Sequence, residues 1–282
     1  MAELNQKIKT IIKPTSLWYD LNFKEIIKYK DLLYFMVLKD VKVLYKQTVL
    51  GFSWAIIRPL FSMIVFSIIF GSLAKVPSDG VPYPIFSYSA LVPWTYFSTC
   101  LTTSTQSLIA NTGVFTKIYF PRLIIPLAPI IAGLVDFFIA LSILFILMFW
   151  YGISPNINIV WMPLLLIIMI ITTSGIGIWL SALALQFRDV RYAVQFLIQL
   201  LMYAAPVVWP VSLLIERFGA NIEFYYGLYP MAGVIEGFRS SLLGAVPMPW
   251  HLIYMGFLSS IIIFISGIFY FKNKEAVFAD IA

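Results

Sequence analysis

Asp136 is the residue whose type fits its surroundings least: it sits in IIPLAPIIAGLVDFFIALSILFILMFW with no other charged side chain in the run. A carboxylate at the centre of a membrane helix costs about 2.5–3.5 kcal/mol on insertion scales, so it is paired, protonated or wetted. Proton coupling would want a second acid or a base beside it. With neither in the run, a structural role facing the interior of a bundle is the stronger reading. Glu236 and Arg239 stand three residues apart, the spacing at which opposite charges on a helix pair with each other; pairing with a neighbouring subunit is the alternative. Catalysis finds little support, since the only histidine is His251, the only cysteine is Cys100, and acids, bases and nucleophiles do not cluster. No catalytic residue and no metal site is expected. No disulfide can form within the chain, and Cys100 reads as a small apolar filler. The GxxxxGK[ST] cradle for nucleotide phosphates is absent too, so the chain is not expected to bind ATP by itself.

The elements that position these residues are set by an unusual composition. Of 282 residues, 61% are hydrophobic and 11% charged, against about 25% charged in soluble domains. That excludes a soluble globule, a disordered tail and a fibrous chain. The apolar residues gather in runs near the ~20 residues that cross a hydrocarbon core of ~30 Å. Six crossings are predicted: Ile56 to Leu73, Ile85 to Leu108, Ile124 to Trp150, Trp161 to Leu185, Tyr192 to Val208, and Leu252 to Phe271. An even number puts both termini on one side. Of the 19 Lys and Arg, all but Lys75, Arg217 and Arg239 fall on that side, and basic residues near short loops stay in the cytoplasm. Both termini are therefore assigned to the cytoplasm, and the net charge of +6 needs no nucleic-acid partner. Roughly the first 20 residues lack a continuous apolar core followed by a small-residue cleavage site, so a cleaved signal peptide is not expected.

Three regions follow: a cytoplasmic N-terminal and interface region over 1–50, a transmembrane domain over 51–272, and a cytoplasmic tail over 273–282. Between Asp31 and Leu50, apolar residues are interrupted by Lys39, Asp40, Lys42 and Lys46, as in an amphipathic helix lying in the membrane interface. A soluble helix packed on another domain is the plainer alternative. The long connection from Trp209 to Pro249 stays apolar and carries helix punctuation: Ser212 as a cap, Gly219 as a stop, Pro230 in a first turn, Gly244 after a last turn. It predicts two helices, roughly Ser212 to Phe218 and Met231 to Leu243, both too short to cross. The fold class is thus an all-α integral membrane protein of six transmembrane helices, with an N-terminal interface helix and a re-entrant outer hairpin between helices 5 and 6. Non-helical backbone at membrane depth needs protein or water to satisfy it, so the hairpin should border a pathway or a subunit contact. Two surface helices lining nothing are the alternative. On the opposite side Asn111 to Pro121, followed by Arg122, and Gln186 to Tyr192 are short loops carrying Lys117, Tyr119, Arg188, Asp189 and Arg191. Joined to long helices, they make levers for a partner. Aromatic residues make up 17% of the chain, among them Phe61, Phe66, Tyr88, Trp94, Tyr96, Phe97, Tyr203 and Trp209 within or at the ends of crossings. Most membrane aromatics are belts or packing, but rings also stack on the C–H faces of sugars, and a ring-lined wall lets a polymer slide.

Four stretches together resemble one family: DVKVLYKQTVLGFSWAIIRP, YFPRLIIPLAPIIAGLVDF, FRDVRYAVQFLIQLLMYAAPVVWPVSLL and LYPMAGVIEGFRSSLLG. From about Lys39 to Phe271 the chain is similar to the ABC-2 type permeases that export polysaccharides, nearest to the Wzm O-antigen and TagG teichoic acid permeases. The resemblance implies a homodimer that binds two copies of a separate nucleotide-binding ATPase subunit, with ATP and Mg held on that partner and no cofactor in this chain. The cargo it implies is an undecaprenyl-linked polysaccharide, exported across the bacterial cytoplasmic (inner) membrane by a chain that is not itself an enzyme. Within that frame Asn111, Lys117, Tyr119, Arg122, Arg188 and Asp189 are the expected ATPase-coupling residues, and Ser212, Glu216, Glu236 and Arg239 belong to the outer gate. Phe61, Tyr88, Trp94, Phe97, Tyr203 and Trp209 are the candidate channel aromatics. Lys46 and Arg58 are candidates for the lipid diphosphate, because cations suit phosphate oxygens; as snorkelling anchors they would serve topology instead. An ABC-2 exporter of a small lipophilic molecule is the rival reading. A secondary transporter would want coupled acids or inverted repeats, and a membrane glycosyltransferase an acidic metal cluster.

Overall fold

The computed structural model describes residues 27–46, 51–219 and 221–278. Among the described residues every regular element is helical: α1 (Lys30–Lys46), α2 (Trp54–Phe66), α3 (Tyr83–Ala110), α4 (Thr112–Phe115), α5 (Ile124–Trp150), α6 (Met162–Gln186), α7 (Val190–Ala204), α8 (Val211–Phe218), α9 (Ile222–Gly227), α10 (Pro230–Leu243) and α11 (Trp250–Glu275). A π-helical stretch, Ser67–Leu73, prolongs α2, and a 3-10 turn, Ile157–Trp161, leads into α6.

Four of these helices are long and apolar enough to cross a membrane: Trp54–Leu73, Ile124–Trp150, Ile157–Gln186 and Trp250–Glu275. The other two predicted crossings differ for separate reasons. α3 has 28 residues and about 42 Å of length, but serine and threonine dilute its hydropathy. Their hydroxyls bond to the preceding turn (Thr102 to the Ser98 carbonyl, Thr105 to Leu101, Ser107 to Ser104), and Ser104 reaches across to the Pro126 carbonyl of α5. Satisfied in this way, the polar helix lies buried at the centre of the bundle, against α5 and α6. α7 stops at Ala204 after 15 residues, about 22 Å, short of the predicted Val208. Pro206 has no amide to continue the ladder and forces the preceding residue out of the helical region; Ala205 is extended, with ψ at 151°.

α6 and α11 cross with their backbones in contact. A Cβ on Gly175 would stand 2.7 Å from the Phe264 backbone, and one on Gly267 would stand 2.5 Å from the Gly175 carbonyl oxygen. Small residues let membrane helices approach this closely and gain dispersion where no hydrophobic effect separates helix from lipid. α1 docks on α5 and buries Met36 in a cluster with Leu108, Phe115, Ile124 and Phe271. The predicted end of that helix, residues 47–50, lies outside the described residues. The connection from Trp209 to Pro249 is built as three helices. Gly219 (φ +84°) and Gly244 (φ +66°) close α8 and α10 and Pro230 opens α10, while α9 was not anticipated. Ser212 does not cap α8: Pro210 holds that position, and the Ser212 hydroxyl donates instead to Asp79 Oδ1 at 2.7 Å. α10 is buried along its whole length against α3, α6 and α11, so it is no surface helix.

Candidate functional site

α2, α3 and α5 leave between them a cavity of about 360 Å³, closed on one side by the last turn of α1. Asp136 from α5, Tyr45 from α1, Arg58 and Trp54 from α2, and Thr95 and Thr99 from α3 line it. Asp136 lies near the middle of its helix, about 18 Å from the Ile124 end at about 1.5 Å per residue. The Tyr45 hydroxyl donates to Asp136 Oδ1. Burial raises the Tyr45 pKa, and the bond to Asp136 pushes it the same way, so the phenol keeps its proton. The Arg58 guanidinium lies 5.6 Å from the Trp54 ring centroid and makes no ion pair among the described residues. From the sequence, Arg58 was a candidate for the lipid diphosphate and Asp136 a structural residue facing the bundle interior; the structure brings both to the lining of one cavity. Only the contact of α2 with α5 joins them, and spacing along the chain carries no trace of it.

A second polar centre lies at the hairpin end. Arg239 and Glu236 are both almost fully buried and bond to each other at 3.0 Å. The guanidinium also donates to the Val207 carbonyl at 2.9 Å and lies 3.6 Å from the Phe86 ring centroid. Tyr83 donates to the neighbouring Val208 carbonyl at 2.6 Å. Burial pushes the Glu236 carboxyl up, and the Arg239 charge holds that rise back. The cluster satisfies the unwound backbone between α7 and α8, where a bare carbonyl would be costly.

At the lysine-rich end Asn111 accepts a hydrogen bond from Lys39 of α1 at 3.0 Å. Arg122 donates to the Glu275 carbonyl at the end of α11 and lies 5.4 Å from the Phe115 ring centroid. These ties fasten the segment around α4 to α1 and α11; Lys39 entered the sequence reading only as a charge of the interface helix, and Glu275 was not singled out. Lys117 and Tyr119, just after α4, and Arg188 and Asp189, between α6 and α7, stand exposed. The candidate channel aromatics divide. Tyr88, Trp94 and Phe97 are buried in the core, with Tyr88 donating to the Ala140 carbonyl and the Trp94 and Phe97 rings 5.5 Å apart. Phe61 on α2 and Tyr203 on α7 are exposed. Trp209, half-buried against Tyr226, borders an open bowl of about 780 Å³ with Arg217 and Tyr225. Glu216 is exposed on α8, and Lys46 is exposed at the end of α1.

The profile of the ABC-2 type transporter family matches residues 31–243. The chain belongs to that family. The match runs from α1 to α10, so the cavity and the Arg239 cluster both fall within the matched residues. The O-antigen export system permease protein RfbA of Klebsiella pneumoniae is 30% identical over 252 residues, 89% of this chain and 95% of its own. A protein of the same name from Myxococcus xanthus is 26% identical over 77% of this chain and 82% of its own. The polysialic acid transport protein KpsM of Escherichia coli is 23% identical over 86% of this chain and 93% of its own. With several apolar helices, this ABC-2 permease is a multi-pass membrane protein.

Proposed function

We propose that this ABC-2 permease is the membrane subunit of an exporter that carries lipid-linked polysaccharide across the cytoplasmic membrane, driven by a separate ATPase subunit. The observation that carries this reading is the 30% identity to an O-antigen export permease over 95% of that protein's length. Two copies of the chain and two ATPase subunits form the working unit, with ATP and Mg bound on the ATPase subunits. α3 and α7 cross along with the four more apolar helices, giving six crossings with both termini in the cytoplasm and the α8–α10 hairpin on the far side. The exposed Lys117, Tyr119, Arg188 and Asp189 receive the ATPase, and the ties from Asn111 to α1 and from Arg122 to α11 pass its push into the bundle. Exposed rings, Phe61 and Tyr203 foremost, offer the polymer weak repeated contacts.

Removing the gene from its own cells and restoring it tests the reading. Without the chain, surface polysaccharide disappears and lipid-linked glycan builds up on the cytoplasmic leaflet. In the reconstituted complex, glycolipid stimulates ATP hydrolysis. Stimulation by lipophilic compounds with no response to glycolipid would replace the reading with that of a small-molecule exporter.

A further inference from the structure

Resting on that export reading, we propose that the cavity between α2, α3 and α5 holds the sugar-phosphate head of the lipid-linked cargo. Arg58 takes phosphate oxygens, and Asp136 with Thr95 and Thr99 takes hydroxyls of the first sugar. Charges within membrane helices are expensive and mark pathways or ligand sites, and here Asp136 and Arg58 line one cavity without pairing with each other. Tyr45 bonds Oδ1 of Asp136 and so fixes the carboxylate, whose remaining lone pairs accept hydroxyl protons. The volume, about 360 Å³, falls in the range of roughly 300–1,000 Å³ in which small-ligand pockets are found. The Trp54 ring beneath the Arg58 guanidinium orients it for a bidentate phosphate contact.

A phospholipid headgroup or free phosphate would satisfy Arg58 alone; the sugar adds a demand on Asp136. The test uses the full complex in its own membranes, with Thr99→Cys, or Thr95→Cys as a second position, labelled by N-ethylmaleimide. Cells that make the lipid-linked glycan are compared with cells blocked at the first glycan-building step. Cys100 is 1% exposed, and the unaltered chain reports its background. Labelling is expected to slow about tenfold when glycan is present, the scale of one charge-assisted hydrogen bond. Asp136→Asn should abolish the difference and Asp136→Glu should partly restore it, while both variants still co-purify with the ATPase subunit. Protection that persists when glycan synthesis is blocked assigns the cavity to phospholipid or phosphate and overturns the proposal. Equal labelling in both cells, with surface polysaccharide still dependent on this chain, overturns the site and leaves export standing. Surface polysaccharide that does not depend on the chain overturns the export reading, and the site with it.

Discussion

Arg239 is where the most unlike groups converge: a carboxylate, a backbone carbonyl and an aromatic face share one buried guanidinium. The net worth of a buried ion pair is small, because desolvation offsets most of the attraction. Breaking one by removing a partner costs about 3–5 kcal/mol, since the other charge stays buried and alone. Arg239→Ala is therefore expected to lower the thermal unfolding midpoint of the purified complex markedly. Glu236→Gln should do so less, because burial already disfavours the charged carboxyl and an amide can still accept from Arg239. A midpoint for Arg239→Ala equal to that of the unaltered complex would mean that the cluster does not hold the segment from α8 to α10. The i,i+3 spacing of Glu236 and Arg239 made their pairing legible in the sequence. The Val207 carbonyl and the Phe86 ring were not, because an unwound stretch of backbone has no residue type of its own to announce which carbonyl will need a donor.

Among the elements, helix ends follow local chemistry and helix burial does not. Gly219, Pro230 and Gly244 marked the hairpin helices correctly because φ and amide constraints act within a few residues. Ser212 misled, since its hydroxyl found a distant carboxylate, Asp79, in place of its own helix terminus. α3 is too rich in serine and threonine to count among the four apolar spans, yet it is the most buried of the long helices, because its hydroxyls are satisfied within the helix and by α5. Glycine marks the tightest contact, between α6 and α11. In Gly175→Ala the new methyl meets the Phe264 backbone at 2.7 Å, which no side-chain rotation relieves. The helices must separate, at about 1–3 kcal/mol for overpacking. Gly113→Ala in α4, with nothing within 4 Å, serves as the contrast. Thermal unfolding of both variants should show a loss only for Gly175→Ala; equal losses would mean that the close approach of α6 and α11 is not what stabilises the bundle.

For the whole molecule, hydropathy reports which segments are apolar but not which faces meet protein, because a membrane helix is apolar around its full circumference. Burial supplies the missing distinction. Only 6% of the apolar window of Trp54–Leu73 is buried, against 33–44% for the other three long apolar helices, and α7 buries Val194 alone. Phe61, Ile64, Val65 and Ile68 on one side and Phe196, Leu197, Leu200 and Tyr203 on the other are exposed large apolar residues. Lipid could cover both faces, and so could a second copy. A symmetric pair in which α2 of one copy faces α7 of its partner covers them with protein and sets the exposed rings of Phe61 and Tyr203 at the seam. A chain carrying Phe61→Cys together with Tyr203→Cys should then form a copy-to-copy disulfide under mild oxidation, a bond that needs Cα atoms within about 7 Å of each other. Phe149→Cys, at a site 89% exposed on α5, should form none. Read on a non-reducing gel, a dimer band from the first pair alone places α2 and α7 across the contact. Bands from both would report random collision in the membrane, and a band from neither would leave both faces to lipid and remove the seam from the path of the polymer.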